Sequence, residues 1–364
     1  MKNIILFGGA FDPIHNGHIK MAKEASEFLN AEVIFIPAKI SVWKNESLPV
    51  EDKIKMIELA IKDSGKEDVF SISRYEADLK TDINYSINTI RHFKKVYPND
   101  KLYLLIGLDQ VNNFDKWMEA SEISKLVQIV FYGRLNEEKG SGNIKRFSMI
   151  NIPGEINGIN SSDIRDLKSL DTPEPVIRYI IDHDLYFMEN IKNRMSLDRY
   201  IHSKSVGLLS YEIAKSNHLK EPKKALVAGL IHDCGKELPR EKEKQIMVEH
   251  YSEYINYPRV IYHQFTGEYI AKTEFGIEDE EILTSIKYHT TANSNIGEIG
   301  IIVYCADKIE PTRGFDSKDL IDAMKNNLWS GFKIVMDSNV DYYVRHGIDY
   351  KNPLTVAAIE QYYK

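Results

Sequence analysis

Gly8-Gly9-Ala10-Phe11-Asp12-Pro13-Ile14-His15-Asn16-Gly17-His18 is the stretch on which the fold turns. The apolar run Ile4-Ile5-Leu6-Phe7 precedes it and has the length and composition of a buried β-strand. Ile19-Lys20-Met21-Ala22-Lys23-Glu24-Ala25 follows it and reads as a helix. A glycine turn therefore leaves a strand, and two histidines three residues apart enter a helix N-terminus. Gly8 and Gly9 allow backbone N–H groups to come close to a ligand. A helix start offers unpaired N–H donors and a positive dipole end, which suits phosphate. His15 and His18 add side-chain donors for the same anion.

Working outward, Glu32–Pro37 reads as a second strand and Glu51–Asp63 as a helix, with Ile54, Ile57 and Ile61 on one face. Val69–Ser73, Lys101–Gly107 and Val127–Tyr132 read as further strands, and Ser86–Tyr97 and Val176–Asp182 as helices. Leu135–Lys145, with Gly140-Ser141-Gly142, reads as an exposed loop. Strands alternating with helices predict a mostly parallel sheet that binds ligands beyond its strands' carboxyl ends. Beyond about residue 190 strand signals stop. Helical periodicity runs through Leu197–Asn217, Lys223–Cys234, His263–Phe275, Glu280–Tyr288, Glu298–Ile309 and Ser317–Val344. The expected organisation is an α/β domain over 1–190 and an all-α domain over 191–364. Met188–Ser196, free of Pro and Gly, forms a short join.

The totals agree with this division. A chain of 364 residues, 43% of them hydrophobic, is long enough for two cores. Lys+Arg is 47 and Asp+Glu is 54, a net charge of −7, so nucleic acid is not an expected partner. The two cysteines, Cys234 and Cys305, form no disulfide framework and fit a reducing compartment. No secretory leader or membrane-length apolar run is visible, so cytoplasmic residence is expected and a membrane is not. A homo-oligomer is compatible with all of this.

Further groups in the first half fit the opening loop. Ile159-Asn160-Ser161-Ser162-Asp163-Ile164-Arg165 places Ser and Asp caps before a helix with a cation one turn in, a second anion site. Gly107-Leu108-Asp109 ends the clearest strand, and Trp117 follows it. The G-x-F-D-P-x-H-x-G-H pattern of residues 9–18 resembles the signature of HIGH-type nucleotidylyltransferases. It looks most like their bacterial nicotinate-mononucleotide adenylyltransferase branch. The resemblance implies a Rossmann-like fold in which Gly8, Gly9, Phe11, His15, His18, Ser161, Ser162 and Arg165 hold ATP. It also implies that Gly107, Asp109 and Arg134 contact nucleotide, that Trp117 stacks on the pyridine ring, and that Lys44, Ser86 and Thr89 match acceptor-side positions. Trp43 and Asn88 depart from the family pattern on that side. The implied reaction has no protein nucleophile. The 5′-phosphate of nicotinate mononucleotide attacks the α-phosphorus of ATP and pyrophosphate leaves, with His15, His18, Arg165 and Mg²⁺ neutralising charge.

The second half carries His202, the adjacent pair His232-Asp233, His263, His289 and Asp307 at helical positions far apart in sequence. Six such groups from separate helices can converge inside a bundle, as in carboxylate–histidine dimetal sites. Four imidazoles and two carboxylates suit iron, manganese or zinc and exceed the needs of one tetrahedral ion. His92, His183, His218, His250 and His346 read as structural or surface residues. The strings Gly229-Leu230-Ile231-His232-Asp233-Cys234-Gly235-Lys236, Tyr288-His289-Thr290-Thr291 and Ala306-Asp307-Lys308-Ile309-Glu310-Pro311, among others, resemble the HD phosphohydrolase superfamily. They look like its bacterial branch that cuts diadenosine tetraphosphate symmetrically. The resemblance implies two metal ions, iron foremost, bridged by Asp233. His202, His232 and Asp307 complete one site, and His263 and His289 the other. Lys236, and less strongly Arg313, would contact phosphate.

Together these readings predict a fusion of a Rossmann-like adenylyltransferase with an HD phosphohydrolase. Its partners would be ATP, nicotinate mononucleotide and diadenosine tetraphosphate. Two rivals stay open for the second half: hydrolysis of another nucleotide, and nucleotide sensing without cleavage.

Overall fold

The computed structural model of the chain describes residues 1–39, 48–81, 84–133, 141–155, 158–347 and 351–362. The chain divides into two compact units, Met1–Arg165 with Ser169–His183, and Asp166–Lys168 with Asp184–Lys364.

The first unit runs β1 (Asn3–Gly9), α1 (Asn16–Leu29), β2 (Glu32–Pro37), α2 (Val50–Ser64), β3 (Phe70–Ile72), α3 (Ser86–Val96), β4 (Lys101–Gly107), α4 (Leu108–Val111), α5 (Ala120–Leu126), β5 (Gln128–Tyr132), α6 (Ser141–Arg146), β6 (Ile150–Ile152), α7 (Ser161–Arg165) and α8 (Glu174–Asp182). The strands form one sheet in the order β3-β2-β1-β4-β5-β6, and every pairing is parallel. This is the Rossmann order, with its reversal between β1 and β4. Strand interiors such as Leu102–Ile106 are continuously buried, as a parallel sheet requires. Ile4, Leu6, Ile34, Leu104 and Ile129 share a core with Ile87, Ile90 and Phe93 of α3 and Ile123 of α5. The reversal brings Gly8 and Gly9, at the end of β1, and Gly107, at the end of β4, to the edge where such sheets bind ligands.

One local expectation needs correction here. Ser141–Lys145 is helical rather than loop: Asn143 Nδ2 donates to the Val111 carbonyl at 2.9 Å and to Asp115 Oδ1 at 3.0 Å, and Ile144 packs on the core. The preceding glycines and polar residues concealed these tertiary contacts. The rest of that expected loop, residues 135–140, lies outside the described residues. The short strand β6 carried no separate signal in three residues.

The second unit runs α9 (Phe187–Lys192), α10 (Leu197–Ser216), α11 (Pro222–Ile231), α12 (Arg240–His250), α13 (Tyr262–Thr273), α14 (Glu280–Lys287), α15 (Gly297–Ile309), α16 (Lys318–Asn326), α17 (Leu328–His346) and α18 (Pro353–Tyr362). It has no strand among the described residues. Helix α9 spans the expected join at 190/191. The single helix expected over Ser317–Val344 is two. Asn327 leaves the helical region at φ −159°, ψ 120°, and its side chain accepts from the Ser330 N–H to start α17. Two glycine contacts draw the central helices together. A Cβ on Gly229 of α11 would lie 2.7 Å from the Cα of Gly207 of α10, and one on Gly235 would lie 2.5 Å from the Gly267 nitrogen of α13. No described helix is long and apolar enough to cross a membrane.

Candidate active sites

At the end of β1, Gly8 has open space where a Cβ would stand, whereas a Cβ on Gly9 would press on the Phe11 ring at 3.0 Å. Phe11 adopts a left-handed φ of 44°. Its ring packs edge-on to His18 and Phe7, with centroids 5.0 and 5.3 Å apart. His15 is the residue from which α1 starts, and its backbone N–H donates to His18 Nδ1 at 3.2 Å. Neutral His18 therefore carries its proton on Nε2. The two imidazoles stack at 3.6 Å between centroids. Burial lowers His15 to about 4 and holds His18 well below its ordinary value, where His15 adds to the effect. In the free site both rings are neutral hydrogen-bond donors. The cationic charge of this constellation resides on Arg165.

The segment after β6 returns to the same loop. Asn160 Oδ1 accepts from the Asp163 N–H at 2.8 Å, so Asn160 takes the capping part expected of a serine or aspartate. Ser162 Oγ donates to Asn160 Oδ1 at 2.5 Å. Ser161 Oγ donates to the Pro13 carbonyl at 2.9 Å, and Arg165 Nη1 to the Asp12 carbonyl at 2.5 Å. Thr172 Oγ1 donates to the Ile14 carbonyl at 2.7 Å, and Asn16 Nδ2 donates to the Asp171 carboxylate. The glycine–histidine loop is thus latched at Asp12, Pro13, Ile14 and Asn16.

Gly107 is required for a close approach, since a Cβ there would lie 2.5 Å from Asp109 Oδ1. Asp109 is exposed in the first turn of α4, and its Oδ2 accepts from Gln110 Nε2 at 2.7 Å. Trp117 is half-buried against the core, 5.2 Å from Phe114 between centroids. Ser86 opens α3 and is half-buried. Thr89 is buried, donating to Glu76 Oε1 at 2.5 Å and accepting from Asn84 Nδ2 at 2.6 Å, so its hydroxyl is committed to this network. Burial raises the Glu76 carboxyl. Trp43, Lys44 and Arg134 lie outside the described residues.

In the second unit the six expected ligands converge. His232, His263 and His289 each place Nδ1 on the carbonyl three residues earlier: Gly229 at 2.7 Å, Val260 at 2.9 Å and Ile286 at 2.7 Å. A carbonyl only accepts, so Nδ1 keeps the proton and Nε2 presents a lone pair, the arrangement a metal ligand needs. The Nε2 atoms of His263 and His289 are 3.2 Å apart, each 3.5 Å from Asp233 Oδ1. His232 Nε2 is buried with no hydrogen-bond partner, 3.6 Å from Asp307 Oδ1 and 3.7 Å from Asp233 Oδ2. His202 sets Nδ1 on Glu310 Oε1 at 2.8 Å and Nε2 on Asp307 Oδ1 at 3.1 Å. Burial opposes its charge, but these two bonds outweigh burial and raise it to about 9. Two ligand triads result, His202-His232-Asp233 and Asp233-His263-His289, with ligand atoms within 4.8 Å of one another in each. They share Asp233. The orphaned His232 nitrogen, the fixed tautomers and the shared carboxylate fit a pair of divalent ions.

Cations ring the carboxylates. Arg199 pairs with Asp233, Arg313 Nη2 sits 2.6 Å from Asp307 Oδ1, and Lys308 Nζ sits 3.4 Å from Asp307 Oδ2. Lys236 Nζ lies 3.0 Å from His263 Nε2, and burial lowers its pKa. Burial opposes charge on Asp233, yet it is held well below the usual carboxylate range, with Arg199 as the permanent cation paired with it.

Comparison with known proteins agrees with both geometries. The cytidylyltransferase-like family matches residues 6–167 and the HD domain family matches residues 199–312. A Mycoplasma genitalium protein named "Probable nicotinate-nucleotide adenylyltransferase/Ap4A hydrolase" is 33% identical over 348 residues, spanning 92% of this chain and 97% of its own. The chain belongs to this adenylyltransferase/Ap4A hydrolase family. The Mycoplasma pneumoniae relative of the same name is 28% identical over 344 residues, 91% of this chain and 97% of its own. A Borreliella afzelii protein named "Probable nicotinate-nucleotide adenylyltransferase" is 35% identical over 192 residues, 50% of this chain but 96% of its own.

As an HD domain, the second half of this family member binds divalent metal. Several residues around its clusters escaped the sequence reading. Glu310 was visible three positions after Asp307, in the extended turn that ends α15, but nothing marked it as the partner of His202. Arg199 is one helical turn before His202 with no signal of its own. Asp171 and Thr172 act on the opening loop from more than 150 residues away, and only the fold makes that visible.

Proposed function

We propose that the chain transfers AMP from ATP to nicotinate mononucleotide in its first unit, giving deamido-NAD and pyrophosphate, and cleaves diadenosine tetraphosphate to two ADP in its second. The convergence of four imidazoles and the Asp307 carboxylate about Asp233 carries the hydrolytic half. The latched glycine–histidine loop at the β1/β4 reversal supports the transferase half, with the family relationship behind both.

In the transferase reading, the His15 ring, the Nε2–H of His18 and the N–H groups of Gly8 and Gly9 grip the phosphates. Phe11 braces the loop. Arg165 supplies the fixed positive charge, and Ser161 and Ser162 hold α7 against the loop. The acceptor phosphate attacks the α-phosphorus directly, so catalysis is alignment and charge stabilisation. Magnesium, carried in on the triphosphate, adds charge neutralisation when bound. Gly107 and Asp109 meet the nucleotide, and Trp117 offers a flat face to the pyridine ring. Ser86, Lys44 and Arg134 are the remaining proposed contacts, while Thr89 positions α3 through Glu76 and Asn84.

In the hydrolase reading, His202, His232, Asp233 and Asp307 hold one ion, and Asp233, His263 and His289 the other. Iron is the proposed metal, with manganese or zinc as alternatives. When bound, the ions supply Lewis acidity at phosphorus. Arg199, Lys236, Arg313 and the Thr290 hydroxyl meet the phosphate oxygens. Glu310 orients His202.

The test is incubation of purified, metal-replete protein with dinucleoside polyphosphates and ordinary nucleotides, with products separated by chromatography. ADP alone from diadenosine tetraphosphate supports the symmetric cut. ATP plus AMP would keep the hydrolase and reject the symmetry, and no product would leave a sensor. Parallel assays with nicotinate and nicotinamide mononucleotides check the acceptor, and preference for the amide would overturn that assignment.

A further inference from the structure

Beside the metal-ligand cluster, the second unit has an open cavity of about 620 Å³, within the range of small-molecule sites. Its lining joins two kinds of residue. Thr290, Asp307 and Arg313 belong to the cluster or touch it. Phe315, Tyr342 and His346 do not, and all three are aromatic. Phe315 is 49% and Tyr342 52% exposed, so each ring keeps accessible surface. Tyr342 and His346, one turn apart on α17, pack against each other at a tilt of 31° with centroids 4.1 Å apart, which holds Tyr342 in place. The core does not account for them: the buried residues of α17 are Leu328, Gly331, Phe332, Val335 and Met336, all in its first half. Open aromatic faces in one cavity with arginine and a metal-ligand carboxylate combine what a nucleotide needs, a stacking surface for the base and charge for the phosphates.

We propose that this cavity seats one nucleoside of the hydrolase substrate, its base stacked on Phe315 or Tyr342 and its phosphates directed past Arg313 to the cluster at Asp307. The proposal rests on reading the second unit as a nucleotide polyphosphate hydrolase. A cavity of this size takes one drug-sized group. The second nucleoside of a dinucleotide therefore lies outside it, and recognition is of one half of the substrate.

The test uses the full, metal-loaded chain. At least one of Tyr342→Ala and Phe315→Ala should raise KM for diadenosine tetraphosphate on the order of tenfold, the scale of one lost base–aromatic stack. Metal content, kcat and adenylyl transfer should stay at wild-type values, and Tyr342→Phe should restore KM. Cleavage of bis(4-nitrophenyl) phosphate, which has no nucleoside, should be untouched by all three. Independently of turnover, photolysis with 8-azido-ADP should label the peptide carrying Tyr342 and His346, and unlabelled ADP should protect it. An unchanged KM in both alanine variants, or labelling of residues 184–364 only outside 313–346, would overturn the proposal. A wild-type protein that cleaves the nitrophenyl ester but no nucleotide would overturn the hydrolase reading instead, while the label still decides the subsite.

Discussion

His15 shows how burial sets the chemistry of a single side chain. Its ordinary value of 6.5 falls to about 4 in the fold. Between those values the unfolded chain takes up a proton that the folded chain refuses. Stability present above pH 6.5 is therefore lost as pH falls toward 4, on the order of 3 kcal/mol if His15 alone titrates. Chemical denaturation from pH 7 to 4.5 should show this slope, shallower in His15→Gln, and parallel slopes would remove His15 as the cause. His18→Ala should lower adenylyl transfer by roughly 10²–10³-fold, as loss of one oriented donor does, and leave hydrolysis alone. Full transfer activity would exclude His18 from the mechanism. Asp233→Ala should lose both metal and hydrolysis yet retain transfer; elemental analysis showing two ions still bound would refute the shared-carboxylate arrangement. The six side chains that cluster were legible in the sequence because imidazole and carboxylate chemistry is scarce and recurs in recognisable strings. Glu310, Arg199 and Asp171 were not, because each acts only through a partner that folding brings to it.

At the level of elements, continuous apolar runs made β1, β2 and β4 legible nearly to the residue. Periodicity did the same for α2, α10 and α15. The break at Asn327 was not, since apolar spacing continues across it and only the backbone turn and its cap divide the helix. Asn327→Ala should cost about 1 kcal/mol, read from the unfolding midpoint. The crossing of α10 and α11 was equally hidden, because a glycine in a helix signals weakness in sequence and close approach only in three dimensions. At Gly229 the nearest obstacle is backbone, the Cα of Gly207, which cannot turn aside. Gly229→Ala should destabilise the second unit by about 1–3 kcal/mol and reduce metal content by displacing His232 from His202. An alanine variant with wild-type stability and full metal would show that the helices slide without cost.

For the whole molecule, the division into an α/β half and a helical half was legible from the loss of strand signals, and each half has its own core and site. We expect the halves to be separable. Because α9 crosses the join expected at 190/191, the cut is best made after His183. Each fragment should unfold cooperatively and keep its own activity, and failure of both to fold would refute independence. The latch on the glycine–histidine loop has a consequence in time. The loop leaves the ribosome directly after the central strand β1 and ahead of the residues that latch it. Yet its partners are separated from it by 148 positions for Ser161 to Pro13, 153 for Arg165 to Asp12 and 158 for Thr172 to Ile14. During synthesis the sheet can therefore assemble strand by strand around a loop that has nothing yet to grip it. Nascent chains arrested before Ser161 has emerged should already resist protease through their strands while failing to retain ATP. Competence to bind nucleotide arrives only once the α7 region and Thr172 have been delivered, before most of the helical unit has been made.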